Sequence, residues 1–491
     1  MIFKPSIVAR MWDTWLFYHE GKHYLFYLHN SRADVRWDGM SVAVSGDGVH
    51  FIDHGPIIHK APDAVWLGTG MVWRVGERFM LNFSEERSGD QSISFAESND
   101  LLHWRRLPDD DYLSLADPRW YVGKISFGKK QRWDCIWVLP RADGPGYIGF
   151  LTAVAKEGPP GLCGTAGCVV SDDGRHFRAA PPVIETGLWG DNVEVGAVET
   201  IAGRYYMLLG VGSMPLGARR LSRLPAGEGG MFVLGADQQS GPYRLDLRQP
   251  LLLGSSPNLH TYFARFYRCG DMLLLNHHTV PRTWDVNSPR DIYFAPLKVV
   301  RCDADGILSL HWWAGNEALK GSAQPVVLDH CQLHRLLPED CIFQAETLQL
   351  QAAAGGVAIL PVKCNTVRGV ILEAEITLTA AAGPIHGAGL FIEGETPNRG
   401  TILLGQNEGR LQVGPYDGYA FRPDDGKPLP FALKQTSRWR LLVRTAHVEL
   451  YVNDELIQCY TLAHAPGGRL GFVIEAGAAT VGKVYTWEMS L

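Results

Sequence analysis

Apolar and aromatic residues along the first 280 positions gather in short runs, and each run is introduced by a glycine-led turn. The phrase is Glu20-Gly21-Lys22-His23-Tyr24-Leu25-Phe26-Tyr27, then Val75-Gly76-Glu77-Arg78-Phe79-Met80-Leu81, then Gly128 running into Trp133-Asp134-Cys135-Ile136-Trp137-Val138. It returns as Ala202-Gly203-Arg204-Tyr205-Tyr206-Met207-Leu208-Leu209 and Cys269-Gly270-Asp271-Met272-Leu273-Leu274-Leu275. Short aromatic and aliphatic runs bounded by turns are strands. The turn glycines fall at 21, 76, 128, 203 and 270, so successive intervals are 55, 52, 75 and 67 residues, each enough for about four short strands. That period predicts an all-β chain beginning with a five-bladed β-propeller, one blade per unit. A second phrase, Ser-x-Asp-x-x-His-aromatic, recurs as Ser45 to Phe51, Ser98 to Trp104 and Ser171 to Phe177 in the first three units.

Beyond residue 345 the texture changes to longer alternating strands, such as Val370 to Leu378, Trp439 to Arg444 and Val448 to Val452. Strict alternation over many segments predicts two packed antiparallel sheets. The expected organisation is a propeller over 1–320, a linker over 321–344 and a β-sandwich of jelly-roll or concanavalin type over 345–491. The linker includes Leu333 to Pro338, where one helical turn is expected.

The net charge of −6, without any Lys/Arg run, gives no electrostatic support for nucleic acid or an anionic membrane as partner. An oligosaccharide or small glycoside fits better, with oligomerisation left open. The opening Met1-Ile2-Phe3-Lys4-Pro5 enters the first strand pattern at once, and no apolar run has membrane-spanning length, so a cytoplasmic protein is expected. Nine scattered cysteines without a Cys-x-x-Cys pair read as reduced thiols. No cofactor and no metal are expected: the adjacent His277-His278 of a strand point to opposite faces, which argues against a shared ion with His260.

Reading back from each turn glycine to the start of its strand gives Asp13, about Gly70, Asp117, Glu194 and about Ala264. Innermost propeller strands line one channel, so Asp13, Asp117 and Glu194 are expected to converge on its mouth as catalytic residues. Each is flanked by apolar or aromatic residues, a setting that shifts carboxylate pKa values. Glycoside cleavage needs such a pair, one protonated to aid the leaving group and one ionised. Trp12, Trp15, Trp66, Trp120 and Trp189, which can stack on sugar faces, are expected with Arg119 and Asp191 to bind substrate. Asp134 reads as facing outward on its strand, and Glu85-Glu86 as solvated.

These residues resemble glycoside hydrolase family 32, the invertases, levanases and inulinases, and more distantly family 43. Asp13 followed by Gly21 to Tyr27 resembles the first family-32 motif, whose Asp is the nucleophile. Ala116-Asp117-Pro118 is similar to that family's Arg-Asp-Pro, whose Asp stabilises the transition state. Glu194-Val195-Gly196-Ala197 stands where its Glu-Cys-Pro-Asp carries the acid/base. Gly68-Thr69-Gly70-Met71 is similar to the segment opening its second blade, and His447 to Asp454 to a strand of its sandwich. The resemblance implies a retaining furanosidase. The family's Asn residues beside the nucleophile are missing, Leu28 stands where Gln usually follows, Ala116 replaces the sugar-binding Arg and Val195 replaces Cys. An inverting family-43 chemistry with Asp13 as base, and a sugar-binding propeller without turnover, are the alternatives.

Overall fold

A computed structural model of the chain describes residues 2–123, 131–211, 229–249, 251–255, 261–279, 292–324, 326–328, 341–344, 347–352, 357–364, 366 and 368–491. Two compact units result, one formed by Met1–Gly254 with Thr261–Ser309, the other chiefly by Leu310–Leu491.

In the first unit, four-stranded antiparallel meanders follow one another in chain order. Blade one holds β1 (Arg10–His19), β2 (Lys22–Asn30), β3 (Gly39–Ser45) and β4 (Ile52–His59). Blade two holds β5 (Trp66–Val75), β6 (Arg78–Arg87), β7 (Asp90–Ser98) and β8 (Trp104–Arg106). Blade three holds β9 (Trp133–Pro140), β10 (Tyr147–Val154), β11 (Gly164–Ser171) and β12 (Arg178–Ala180). Blade four holds β13 (Val193–Ile201), β14 (Arg204–Val211), β15 (Gly229–Ala236) and β16 (Arg244–Leu245), with β17 (Leu251–Ser255) beside β15. Blade five holds β18 (Thr261–Cys269), β19 (Met272–Thr279), β20 (Lys298–Cys302) and β21 (Leu308–Trp312). The first strands β1, β5, β9, β13 and β18 touch in a closed ring, as a five-bladed propeller requires.

Local chemistry explains the turns. Glu20-Gly21 and Ala202-Gly203 have positive φ at both positions, the two-residue hairpin geometry that matches strand twist. Blade three departs from the sequence expectation. Gly128 lies outside the described residues, and the strand through Trp133 to Val138 is the first of its blade, not the second. Its hairpin runs through Arg141 to Gly146, with Gly146 at φ 96°. The Ser-x-Asp-x-x-His phrase forms the turn between the third and fourth strands of blades one to three. In it, Asp47 takes the His50 ring at 2.7 Å, Asp100 that of His103 at 2.7 Å and Asp173 that of His176 at 2.6 Å. The Ser45, Ser98 and Ser171 hydroxyls accept N–H groups of the same turns.

Residues 310–491 form two facing sheets. One contains Cys341–Gln344, Thr347–Gln351, Gly477–Met489, Val370–Ala381, Ser437–Arg444, His447–Val452 and Glu455–Thr461 in that order. The other contains Val327–Leu328, Val357–Lys363, Arg469–Glu475, Gly387–Glu393, Gly400–Gln406, Arg410–Tyr416 and Asp425–Pro428. Leu372, Ile376, Leu390, Leu403, Trp439, Leu441 and Phe472 pack into one buried core between them. Lys320–Gln324, which runs into the linker expected over 321–344, pairs instead with Gly477–Met489. The expected helical turn at Leu333 to Pro338 lies outside the described residues. No described helix is long and apolar enough to cross a membrane.

Candidate active site

The ring of first strands is interrupted at the same level in every blade. Pairing registers shift between Trp12 and Thr14 in β1, between Leu67 and Gly70 in β5, and between Val195 and Ala197 in β13. A shift also falls between Tyr262 and Arg265 in β18, and another where β9 passes Cys135, whose φ is 52°. A β-bulge re-aims side chains beside it and is enriched near active sites. The residues at these bulges are Asp13, Thr69, Asp134 with Cys135, Glu194, and Arg265.

Asp13 is buried, and the Thr69 hydroxyl donates to its Oδ2. Its Oδ1 is also buried and has no partner among the described residues. Burial and the negative charge of Glu194 push the Asp13 carboxyl up to about 7, against the opposing effects of the Thr69 hydrogen bond and the Arg265 charge. Glu194 keeps a quarter of its side chain exposed and accepts from Arg132 Nη2 at 3.0 Å. The same nitrogen reaches Asp134 Oδ2 at 3.2 Å, and Arg132 Nη1 donates to Asn192 at 2.8 Å. Ser84 completes the Asp134 shell by donating to Oδ1. The site is therefore three carboxylates with two guanidiniums, Arg132 and the fully buried Arg265.

Asp134 is thus a correction to the sequence reading, which had it outward on its strand. Asp117 stands elsewhere: it opens the turn through Tyr121 ahead of β9, and its carboxylate is taken by Arg119 at 2.7–3.1 Å. Those bonds hold the Asp117 carboxyl below its usual range. The hairpin of blade three explains the exchange, because reading back from Gly146 leads to Asp134, whereas reading back from Gly128 leads to Asp117. Trp133-Asp134 preceding a bulge also repeats Trp12-Asp13, a signal the sequence did contain.

Of the expected substrate-binding residues, Trp12 is half-buried, with its ring 4.7 Å from that of His278. Trp66 is half-buried and donates to Glu86 at 2.6 Å. A Cβ on Gly68 would meet Ser84 Oγ at 2.3 Å, the Trp66 ring at 2.8 Å and Asp134 Oδ1 at 3.1 Å, so the missing side chain lets these groups converge. Trp15 and Trp189 are each 1% exposed, so neither offers a face to substrate. Trp15 stacks on Phe26 in the core between blades one and two, and Trp189 packs on Phe232. Trp120 is half-buried under the Arg119 guanidinium, 4.3 Å from its ring, in the same turn as Asp117. Asp191 braces a loop by accepting the Cys163 N–H at 2.7 Å. Glu85, expected to be solvated, is fully buried and receives the Ala61 N–H with Arg87 and Arg106. Arg132 and Arg265 escape the sequence reading altogether, since bulges bring them to the site and no motif marks them, and Thr69 enters it only within Gly68 to Met71, without a role of its own.

No protein-family model matches the sequence, and no curated protein does. Solved structures do match in fold over nearly the whole chain. The Bombyx mori GH32 β-fructofuranosidase is 13% identical, covers 98% of this chain and 91% of its own, and superposes with a TM-score of 0.67. Sucrose-6-phosphate hydrolase from Lactobacillus gasseri is 12% identical over 96% of this chain and 88% of its own, with a TM-score of 0.67. Fructan 1-exohydrolase IIa from Cichorium intybus is 13% identical over 98% and 95%, with a TM-score of 0.66. In fold, then, this chain is glycoside hydrolase family 32-like, a β-propeller followed by a β-sandwich.

Proposed function

We propose that the protein is a glycosidase that cleaves a furanosyl bond of the fructofuranosyl type, with Asp13 and Glu194 as its catalytic carboxylates. The observation that carries this reading is the pairing of a buried Asp13 with a partly exposed Glu194, both beside bulges of the propeller's innermost strands and near enough for the charge of Glu194 to raise the Asp13 carboxyl. The fold shared with β-fructofuranosidases supports the same reaction class.

In the retaining course, the Asp13 carboxylate attacks the anomeric carbon while Glu194 gives its proton to the departing oxygen. Glu194 then takes a proton from water, which cleaves the glycosyl ester and restores Asp13. Asp134, braced by Ser84 and Arg132, takes the place the resemblance gave to Asp117 and steadies the sugar as positive charge develops. Trp12 and Trp66 offer the faces a neutral sugar needs. The Asn residues missing beside Asp13 and the Ala116 that stands for the sugar-binding Arg point to poor turnover of sucrose and inulin.

The reading is tested with a panel of nitrophenyl furanosides and fructo-oligosaccharides. Hydrolysis of at least one by the wild type, lost in Glu194→Gln while the sugar still binds, is the expected result. Sugar binding without turnover by the wild type would make the protein a binding propeller instead.

A further inference from the structure

Arg265 is a residue of β18 with no exposed surface, and it has no carboxylate in ion-pair contact among the described residues. Burying an unpaired charge is costly, so its surroundings have to repay that cost by other means. Nη1 donates to the Gly70 carbonyl at 2.6 Å and Nη2 to the Cys135 sulfur at 3.0 Å. The guanidinium also lies over three rings, Phe263 at 5.0 Å, Trp15 at 5.6 Å and Trp137 at 5.7 Å. Cation–π contacts of this kind strengthen when desolvated.

Each partner sits at or next to a bulge. Gly70 follows Thr69, whose hydroxyl holds Asp13. Cys135 follows Asp134 and carries the positive φ of its bulge. Trp15 lies two residues beyond Asp13 on β1. One planar fork therefore fixes the strands that present Asp13, Thr69 and Asp134, while sitting itself beside the bulge of β18. A fixed fork with several donors suits this task better than a single ammonium.

We infer that Arg265 is a positioning residue for the glycosidase reaction, a buried cation that registers three bulges and sets a positive charge among the acids they present. The inference rests on the proposed role of Asp13. Charged and titratable groups acting on Asp13 come from every side: Glu194 from β13, Asp134 from β9, Arg265 from β18, and Arg132 through its bonds to both acids. The buried His278 of β19, packed on Trp12, is held well below its ordinary pKa by burial and adds no charge near neutrality.

The experiment uses full-length protein in three forms: wild type, Arg265→Met and Arg265→Lys. Replacing a buried ion by an apolar side chain of similar volume is often tolerated, and circular dichroism with thermal melting establishes that each variant is folded. The Asp13 carboxyl is titrated by carbon-13 NMR, with its resonance assigned from Asp13→Asn, so the readout does not depend on turnover. In Arg265→Met the Asp13 midpoint should rise by about one pH unit or more, a tenfold change in ionisation at fixed pH. In parallel the acid limb of kcat/KM should move up by the same amount, and kcat should fall far more than KM rises. Arg265→Lys should keep the midpoint near that of the wild type yet lose kcat, because charge remains and the fork does not. A folded Arg265→Met with unchanged Asp13 titration overturns the inference. If Met does not fold, the same comparison is made with Lys, and a folded Lys variant of wild-type kcat overturns it equally. A wild type that turns over no glycoside but shows the shifted titration in Arg265→Met refutes the proposed function and leaves the electrostatic link between Arg265 and Asp13 standing.

Discussion

Arg132 lies against Glu194, Nη2 to Oε1 at 3.0 Å, whereas Asp13, the deeper of the two acids, meets the Thr69 hydroxyl. The same Arg132 nitrogen reaches Asp134 Oδ2 at 3.2 Å, so one guanidinium holds two of the acids in place. Arg132→Met should therefore lower kcat/KM, because Glu194 and Asp134 lose the group that fixes both. Steady-state kinetics measures this, and a wild-type kcat/KM in a folded variant counts against it.

Glu194→Ala should lower hydrolysis by about 10²–10⁴, the usual range for losing a general acid/base. Azide should recover part of the rate, since it needs no proton removed before attack. The glycosyl azide should have the same anomeric configuration as the substrate. Retaining carboxyls stand about 5–5.5 Å apart and inverting ones about 6.5–9.5 Å. An azide of inverted configuration would assign Asp13 the part of a general base.

The third acid separates the two candidate positions directly. Asp134→Ala should abolish most activity with little change in KM, because transition-state charge loses a partner that the ground state uses weakly. Asp117→Ala should leave kcat/KM within about threefold, for it breaks an exposed ion pair of the kind worth little. Steady-state kinetics on the pair of variants decides it, and the reverse ranking would restore Asp117 to the site.

How far the sequence reaches is visible in these residues. The glycine-led turns at Gly21, Gly76, Gly203 and Gly270 lie in real hairpins, and strand starts read from Gly21 and Gly203 give Asp13 and Glu194. Blade three misled the reading because its hairpin loop, Arg141 to Gly146, is longer than a two-residue turn and a second glycine, Gly128, precedes the first strand. Trp15 and Trp189 read as sugar platforms, since an aromatic beside an acid has the same pattern whether it faces a channel or a core. Arg265 could not be found from pattern at all: its role depends on three bulges in strands far apart in sequence, and a bulge leaves no period to detect.

Aromatic function and aromatic packing are separable by experiment. Trp15→Ala should cost about 3–5 kcal/mol of stability, as for other large core truncations, with KM of the folded fraction unchanged. Trp66→Ala should instead raise KM with little effect on melting temperature, since Trp66 is only half-buried. Denaturation and kinetics on both variants suffice, and a raised KM for Trp15→Ala alone would return Trp15 to the binding surface.

The pH dependence of stability carries the signature of Asp13 itself. Its folded-state value of about 7 lies above the model-peptide value of 3.8, so the folded protein binds the proton more tightly than the unfolded chain does. The contribution of protonated Asp13 is therefore fully present below about pH 4 and is lost progressively as pH rises towards 7, where folding must bury a charge. Asp13→Asn places an uncharged group of the same shape in the same bulge and cannot titrate. Relative to that variant, the wild type should lose stability between about pH 4 and 7 and then level off, and near neutrality Asp13→Asn should be the more stable protein and the inactive one. Urea unfolding across that range measures the difference curve. A flat difference would mean that Asp13 is already ionised across that range, and that burial and the charge of Glu194 do not raise its carboxyl.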